Sequence, residues 1–314
     1  MRKLKAVSLA LLILGAGCTL PGSVPPVVKI GLVAPFEGLH RAEGYDALYA
    51  VKLAVREANA SRELGKYRLE LVALDDRNSP AEAIIAAGKI SLDPDVVGVI
   101  GHLSEETTLA AFPIYARYHL PLVIPIPVLE KGKLGEGAFQ VYPYPPQWPR
   151  ILCSEGKILV FSCPGSAVYR EISSSCPAEN LDFYCYPEFP PTPQSYRVAF
   201  WPGDSSTGAE VLLKLRQNGF RGEFWGRPEL CSSPFKALAG ERGSWCFGGE
   251  REPEETFAQE YRKISGAEPG PFAWPAYVAT KVLIKALKET SAEGRITRER
   301  VWHQFKTQAL RGAD

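Results

Sequence analysis

The sequence predicts an α/β fold of two lobes, each a parallel sheet flanked by helices. Between residues 27 and 126, strand-like and helix-like patterns alternate four times, which is typical of a parallel sheet that helices cover on both faces. After residue 140 the chain becomes rich in proline and aromatic residues, as expected for a crossover. Strand-like and helix-like segments then resume, and this second series predicts the second lobe.

The elements of the first lobe follow from hydrophobic periodicity and from helix caps. Strands are predicted where apolar residues run together or alternate, at residues 27–35, 67–74, 96–100 and 122–126. Helices are predicted where apolar residues repeat every three to four positions, at residues 45–59, 80–92 and from 104 onward. Ser79 before Pro80 indicates one helix start, and Ser104 before two glutamates indicates another.

The second lobe is predicted to be less regular. Strands are expected at residues 157–162, 197–201, 224–225 and 245–247, the last leading back to the first lobe, and residues 166–193 are expected to be irregular. A capping box formed by Thr207 and Glu210 predicts a helix that ends near Asn218. Further helices are predicted at residues 235–238, 254–264, 272–290 and 298–308.

The first 18 residues predict export from the cytosol. Arg2, Lys3 and Lys5 form a positive start, a short apolar run follows, and small residues precede Cys18. The run is too short for a stable membrane span, so residues 1–17 are predicted to be a signal peptide. Cys18 at the cleavage point resembles the lipobox of bacterial lipoproteins, which implies that Cys18 is acylated and that residues 18–28 tether the fold to a membrane, in the periplasm or at the cell surface. The alternative is an ordinary cleaved signal beside a chance cysteine.

Charge and hydropathy exclude two kinds of partner. The chain has 36 Lys and Arg against 35 Asp and Glu, and the predicted signal peptide removes three of the basic residues. No basic stripe is left, so nucleic acid is not an expected partner. No second apolar run approaches the length of a membrane span, so attachment is expected only through lipid on Cys18. No cofactor is expected.

The cysteines predict disulfides. Six follow Cys18, an even number in a protein that is predicted to reach an oxidising compartment. Fifteen pairings are possible, and the closeness of Cys231 and Cys246 in the chain favours pairing these two. A zinc site is not expected, because no two cysteines have the C-x₂-C spacing. The six are Cys153, Cys163, Cys176, Cys185, Cys231 and Cys246.

Six segments carry a resemblance to a known family. Those in the first lobe are KIGLVAPFEG, DDRNSPAEA and VVGVIGHLSEETTLAAFPIYARYHLPLVIP, and those in the second half are RVAFWPGD, LLKLRQNGFRGEFWG and FAQEYRKISGAEPGPFAWPAYVATKVLIKAL. In their order and spacing they resemble the type I periplasmic binding proteins, and among these the leucine/isoleucine/valine-type receptors of ABC importers. The resemblance covers residues 29–287 and is greatest over residues 29–125.

The resemblance implies two lobes joined by a hinge that close on a small solute, in a monomer that delivers the solute to an ABC permease. It places the first lobe at residues 29–142, the second at 143–247, and C-terminal helices that return to the first lobe at 248–314. The family usually adds a further strand segment after such helices. Because the chain stops soon after Gln308, the second lobe is expected to be reduced and to rely on disulfides.

Candidate ligand-binding residues are implied by the resemblance, together with the usual position of ligands in open α/β sheets, beyond the carboxyl ends of strands. This directs attention to the loops after Val33, Ile100 and Ile124. The resemblance implies that amino-acid receptors hold the ligand carboxylate with the first lobe, through a serine after the third strand, and the ligand ammonium with an acid of the second lobe. The candidates are Glu43, Ser104, Glu105, Ile126 and Val128 in the first lobe, and Tyr169, Asp204 and Glu229 in the second.

Departures from the family pattern bear on the ligand. Glu105 stands where the family has the serine, with Ser104 one place earlier. Glu43 replaces an aromatic residue, and Val128 replaces a threonine. Acidic groups at these places would repel a carboxylate. The ligand is therefore expected to be cationic or neutral rather than a plain α-amino acid.

Several of these positions also have a structural interpretation. Glu105 follows an N-cap serine, where a carboxylate stabilises the helix dipole without any ligand. The stretch Gly203-Asp204-Ser205-Ser206 is open to two interpretations, a helix cap and the nucleophile turn of a serine hydrolase, and Asp75-Asp76 is interpreted as a turn rather than a metal site. For the whole chain, the alternatives to a solute receptor are a degenerate binding fold that acts as a surface scaffold or sensor partner, and a hydrolase that uses Ser205. An enzyme is not predicted.

Overall fold

The computed structural model of the chain describes residues 24–128, 130–142, 148–227, 230, 235, 244–246 and 254–311. In this part of the chain, ten strands form two five-stranded sheets, and every hydrogen-bonded pair of strands is parallel. The strands are β1 (Val27–Ala34), β2 (Arg68–Asp75), β3 (Val96–Gly101), β4 (Leu122–Ile124), β5 (Ala138–Gln140), β6 (Ile158–Phe161), β7 (Leu181–Tyr184), β8 (Val198–Trp201), β9 (Glu223–Gly226) and β10 (Ser244–Cys246).

The helices lie between and after these strands, as the α/β prediction requires. In the described residues they are α1 (Arg41–Ala60), α2 (Pro80–Ser91), α3 (Glu105–Arg117), α4 (Trp148–Cys153), α5 (Ala167–Ser175), α6 (Ser205–Gln217), α7 (Glu255–Ser265), α8 (Ala273–Ala292) and α9 (Arg298–Arg311). The predicted fold class of two parallel sheets flanked by helices is therefore confirmed. None of the described helices combines the length and the hydropathy needed to cross a bilayer.

Sheet one has the strand order β2-β1-β3-β4-β5. Its central strands are buried on both faces because helices cover both. In β1, for example, every residue from Ile30 to Ala34 is buried. The C-terminal helices belong to this sheet, since α7 and α8 contact α1, and α8 and α9 contact β3. We call sheet one with α1–α3 and α7–α9 lobe one.

Sheet two has the strand order β10-β9-β8-β6-β7, and we call it, with α4–α6, lobe two. Successive side chains of a strand point to opposite faces of a sheet. Accordingly Leu159 and Phe161 of β6 join one apolar cluster, and Ile158 and Val160 join another. Sheet two therefore has a core on each face. The expected reduction of this lobe stays a prediction.

One expectation for the middle of lobe two was wrong, and one strand of sheet one was missed. Residues 166–193 were expected to be irregular, but they contain α5 and β7. The strand expected at residues 245–247 is β10, which pairs with β9 at the edge of sheet two. The strand β5 was not expected; a strand of three residues is too short to show a period in the sequence.

Two disulfides secure the part of lobe two that was expected to be irregular. Cys153 at the end of α4 pairs with Cys176 after α5, and Cys163 after β6 pairs with Cys185 after β7. One bridge thus lies at each end of the β6-α5-β7 unit. Of the pair favoured from the sequence, Cys231 and the side chain of Cys246 lie outside the described residues. Cys18 lies outside them as well.

Removing one bridge is expected to lower the free energy of unfolding of lobe two. The variant Cys163→Ser/Cys185→Ser opens a loop of 22 residues, and closing a loop of this size contributes about 2–4 kcal/mol. Urea unfolding followed by tryptophan fluorescence measures the change. Addition of dithiothreitol to the unaltered protein is the control and should move the midpoint at least as far. An unchanged midpoint in the double variant would show that this bridge does not stabilise the lobe.

Candidate functional site

Buried polar residues follow the strands of sheet one at their carboxyl ends. Ser104, after β3, caps α3, because its Oγ accepts a hydrogen bond from Thr107 N at 3.3 Å. The predicted start of this helix is therefore confirmed. Glu105 is the first residue of α3 and is only 7% exposed. Its Oε1 accepts a hydrogen bond from Glu130 N at 2.8 Å, so this carboxylate joins α3 to the loop that follows β4.

Arg227 reaches the same carboxylate from lobe two. It comes directly after β9, and it is 5% exposed. Its Nη1 lies 3.5 Å from Glu105 Oε2 and 3.4 Å from Glu106 Oε1, and its Nη2 lies 3.5 Å from Glu106 Oε2. Charges this far removed from water persist only when they are paired. The ends of β3 and β9 are thus joined by an ion pair between the lobes.

A second contact between the lobes involves Glu43. This residue, in the first turn of α1, is 3% exposed. Its Oε1 accepts a hydrogen bond from Ser205 Oγ of lobe two at 3.3 Å, and its Oε2 lies 3.2 Å from His40 Nδ1. The next residue is Gly44, where a Cβ would lie 1.8 Å from the carbonyl oxygen of Pro35. Glycine therefore lets the first turn of α1, which carries Glu43, approach the end of β1.

A buried hydrogen-bond chain lies below the start of α3. His102 Nδ1 is 2.6 Å from Asp76 Oδ2, and His102 Nε2 is 3.0 Å from the Tyr115 hydroxyl; all three side chains are fully buried. If Nδ1 donates to the carboxylate, Nε2 accepts from Tyr115, and each ring nitrogen has a partner. Burial and the charge of Asp76 raise the pKa of Tyr115, so Tyr115 keeps its proton. These hydrogen bonds fix the turn that presents Ser104 and Glu105.

Asp76 also forms the turn that the sequence predicts for it. Its Oδ1 accepts a hydrogen bond from Asn78 N at 2.9 Å, and its carbonyl oxygen accepts from Ser79 N. Within the described part of the chain, no group of three or more His, Cys, Asp or Glu side chains is placed to hold a metal ion.

The other candidates of lobe two have contacts within that lobe. Asp204 caps α6: its Oδ1 accepts from Thr207 N at 2.9 Å and from Ser206 Oγ at 2.6 Å. Burial pushes the pKa of Asp204 upward, but these hydrogen bonds outweigh it, and the pKa is lowered. The prediction that Thr207 caps this helix was wrong, because Asp204 lies three residues earlier and accepts the hydrogen bond from Thr207 itself. Tyr169 packs on Phe183, with ring centroids 4.5 Å apart.

The remaining candidates differ in how far the structure describes them. Ile126 and Val128 are buried in the core of lobe one, and Val128 N donates to Gln140 Oε1 at 2.9 Å. Glu229 lies outside the described residues. The structure thus brings Glu43 and Glu105 to the boundary between the lobes, with Ser104 beside Glu105. It places Tyr169 in a contact within lobe two, while Asp204 forms its hydrogen bonds within lobe two and also interacts electrostatically with His40 of lobe one.

Sequence reasoning missed three features of this boundary. Arg227 and Ser205 were not expected to face lobe one, and the chain from Asp76 through His102 to Tyr115 was not predicted. A signal for Arg227 was present, because it directly follows a predicted strand, where ligands of α/β sheets usually lie. No local pattern predicts the buried chain, since its three members are far apart in the sequence.

The hydrolase interpretation of Ser205 does not fit this geometry. A serine nucleophile needs a base at its hydroxyl, which in most hydrolases is a histidine that a carboxylate orients. Here the hydroxyl of Ser205 donates to the carboxylate of Glu43, and the imidazole of His40 lies on the far oxygen of that carboxylate. The order of the groups is therefore serine, carboxylate, imidazole, which leaves the serine unactivated.

Asp46, in the same helix as Glu43, makes the stability of lobe one depend on pH. Burial raises the pKa of Asp46 from 3.8 to about 6, although Gly270 N and the Tyr261 hydroxyl donate to the carboxyl group. A raised pKa means that the folded form holds the proton more tightly. The stability that protonation of Asp46 contributes is therefore complete below about pH 4 and is lost as the pH rises through about 6.

We expect Asp46→Asn to stabilise the protein at pH 7.5. A shift of about two pKa units corresponds to roughly 3 kcal/mol, of which weaker hydrogen bonds to the amide would offset part, leaving about 1–2 kcal/mol. Urea unfolding at pH 4.5 and 7.5 measures the gain, which should be confined to the higher pH. Asp95→Asn, at an exposed carboxylate, is the control. A loss of stability at pH 7.5 in Asp46→Asn would contradict the raised pKa.

A separate cavity of about 860 Å³ lies at the opposite end of sheet one. It is lined by residues near the starts of β1 and β3 and near the start of α9, among them Val28, Asp95 and Arg298. Ligands of parallel sheets bind beyond the carboxyl ends of strands rather than at the amino ends. The boundary between the lobes is therefore the better candidate site.

Comparisons with known proteins bear on the fold of this chain. Residues 27–149 match a family model described as periplasmic binding protein. Over 98 residues the chain is 32% identical to the Leu/Ile/Val-binding protein homolog 2 of Brucella abortus (strain 2308), which is 31% of this chain and 26% of that protein. The match thus spans about a quarter of the length of that relative.

Solved structures match over far more of the chain. A leucine binding protein of Thermotoga maritima has a TM-score of 0.73 at 19% identity, over 88% of this chain and 87% of that one. A branched-chain amino acid transporter substrate binding protein of Streptococcus pneumoniae, solved with isoleucine, has a TM-score of 0.71 at 18% identity, over 89% and 87%. Identities this low establish a shared fold and leave the ligand of this chain open.

Proposed function

We propose that this chain, which matches a periplasmic binding protein family model over residues 27–149, is a type I periplasmic binding protein that captures a small amino-acid-type solute between its lobes and delivers the solute to an ABC permease. The observation that carries the proposal is the meeting of buried charges from both lobes at the carboxyl ends of their strands, where Arg227 faces Glu105. Glu105 is also held within lobe one, because its Oε1 accepts a hydrogen bond from Glu130 N. A solute that binds both groups would therefore hold the lobes together.

The named ligands of similar proteins support the amino-acid class. The two similar solved structures are named as a leucine binding protein and as a branched-chain amino acid transporter substrate binding protein. In this chain, the charge of Glu105 is balanced by Arg227, so the boundary between the lobes is less acidic than the sequence alone suggests. A zwitterion meets charges of both signs there, and this revises the earlier expectation of a cationic or neutral ligand.

The proposal includes the organisation inferred from the sequence. Residues 1–17 would be removed as a signal peptide, and lipid on Cys18 would hold residues 18–28 as a tether to the outer side of a membrane. Residues 29–142 would form the first lobe, 143–247 the second, and 248–314 would return to the first. The protein would act as a monomer that docks on its permease.

A thermal-unfolding screen of the purified protein tests the proposal. A solute at 100 times its dissociation constant adds about 2.7 kcal/mol to the free energy of unfolding, enough to raise the unfolding temperature by several degrees. The panel is leucine, isoleucine, arginine, putrescine and benzoate. We expect a saturable rise with at least one amino acid. No rise with any compound at millimolar concentration would contradict solute capture.

The second candidate is a binding fold that serves as a surface scaffold or sensor partner without transport. The direct contacts between the lobes favour it, since Arg227 with Glu105 and Ser205 with Glu43 already join the two sides. In that case the same screen would show no saturable rise, and the lobes would stay closed through these contacts.

A further inference from the structure

Around Arg227, the two sides of the interlobe boundary carry opposite charges, whereas at the Glu43 contact Asp204 of lobe two interacts electrostatically with His40 of lobe one. Lobe one contributes the buried carboxylates of Glu43 and Glu105, together with the more exposed Glu106. Lobe two contributes the buried guanidinium of Arg227. The resemblance to amino-acid receptors implies the reverse arrangement, with the carboxylate of the ligand on lobe one and its ammonium on an acid of lobe two.

The start of α3 is already occupied by negative charge. A helix N-terminus attracts a carboxylate through its unpaired N–H groups and its dipole. Here the hydroxyl of Ser104 accepts from Thr107 N, and the side chains of Glu105 and Glu106 lie in the first turn. A ligand carboxylate at this place would meet two fixed carboxylates, whereas an ammonium group would be attracted by both.

Arg227 has the geometry to receive a carboxylate. A guanidinium presents five donors in a planar fork that fits a carboxylate with two parallel hydrogen bonds. Its distances to Glu105 and Glu106 are 3.4–3.5 Å, longer than the roughly 2.7–2.9 Å of a close charge-assisted hydrogen bond. A ligand carboxylate could therefore form closer contacts with Arg227 than the glutamates do.

We propose that the solute binds with reversed polarity: its carboxylate contacts Arg227 of lobe two, and its ammonium contacts Glu105 of lobe one. This inference rests on the proposed function and names the chemical class of the ligand as a zwitterionic α-amino acid. On binding, the solute enters between Arg227 and Glu105 and replaces one ion pair with two. Each lobe is then held to the other through the solute.

Calorimetric titration with matched ligand pairs tests the inference. Leucine is compared with 3-methylbutylamine, and arginine with agmatine, because each second compound lacks only the carboxylate. The proteins are the unaltered chain, Arg227→Met, Arg227→Lys and Glu105→Gln. Arg170→Met is the control, since Arg170 also faces an acid of lobe one, Glu130 at 4.0 Å, but is exposed.

We expect Arg227→Met to weaken binding of the amino acid by about 10- to 100-fold, as for a lost charge-assisted contact. Binding of the matching amine should not weaken, because Glu105 and Glu106 lose the cation that competes with it. Arg227→Lys should retain part of the affinity for the amino acid. Its circular dichroism spectrum serves to check that the fold persists. Glu105→Gln should lower the affinities for the amino acid and for the amine by similar factors. Arg170→Met should leave both affinities unchanged.

Two results would overturn the inference. If Arg227→Met lowers the affinities for the amino acid and the amine equally, or lowers neither affinity, Arg227 does not bind the carboxylate. Solute capture itself would then still stand. If the unaltered protein binds no amino acid, the proposed function fails and the reversed polarity fails with it.

Discussion

Reversing the charge of Arg227, in Arg227→Glu, is expected to separate the two lobes. The variant removes the buried ion pair with Glu105 and places a third carboxylate beside Glu105 and Glu106. Breaking a buried pair costs about 3–5 kcal/mol, which is about a 100- to 4,000-fold shift toward the open form. Small-angle X-ray scattering without added solute should show a larger radius of gyration.

A charge exchange and an exposed control make this result specific. In Arg227→Glu/Glu105→Arg the ion pair is restored with its two charges exchanged between the lobes. The radius of gyration should then return most of the way to that of the unaltered protein. The return is expected to be incomplete, because an arginine in the first turn of α3 opposes the helix dipole by about 0.3–1 kcal/mol. Arg170→Glu, at the exposed pair with Glu130, should have little effect, since surface pairs contribute about 0–1 kcal/mol. An unchanged radius in Arg227→Glu would show that this pair does not hold the lobes together.

Replacing Asp76 with alanine is expected to destabilise lobe one by about 2–4 kcal/mol. The substitution leaves the buried Nδ1 of His102 without its acceptor and removes the acceptor of Asn78 N. A buried polar group that loses its partner costs its full desolvation penalty, which is why the expected loss exceeds that of an ordinary hydrogen bond. Urea unfolding measures the loss.

Two further variants show whether the buried chain accounts for this loss. Asp76→Asn keeps an acceptor of nearly the same shape, so it should lose less than Asp76→Ala. Asp93→Ala removes a partly exposed carboxylate that pairs with Lys29, and it should cost no more than about 1 kcal/mol. If Asp76→Ala costs no more than Asp93→Ala, the chain through His102 does not stabilise the turn before α3.

The sequence predicted the framework of lobe one well, for reasons that are local. The strand at Val27 and the helix starts after Ser79 and Ser104 depend on residues within one turn or one strand of each other. Such signals are complete in a short window. The family resemblance, together with the general rule that ligands bind beyond the carboxyl ends of strands, then directed attention to Glu43 and Glu105, which the structure places at the boundary between the lobes.

Lobe two was harder to predict because nonlocal contacts determine its middle part. The segment with α5 and β7 is held by the disulfides of Cys163 and Cys153, whose partners could not be chosen from fifteen pairings. The cap of α6 was misplaced because Asp204 and Thr207 both start patterns that suit a helix N-terminus. Arg227 was overlooked for a third reason: its role depends on Glu105, which is 122 positions away.

A crystal structure of the protein with the tightest-binding amino acid of the screen tests the central claim most directly. We expect the amino acid between the two sheets, with its carboxylate on the guanidinium of Arg227 and its ammonium on the carboxylate of Glu105. Binding in the cavity near Val28 and Arg298, at the opposite end of sheet one, would contradict solute capture between the lobes.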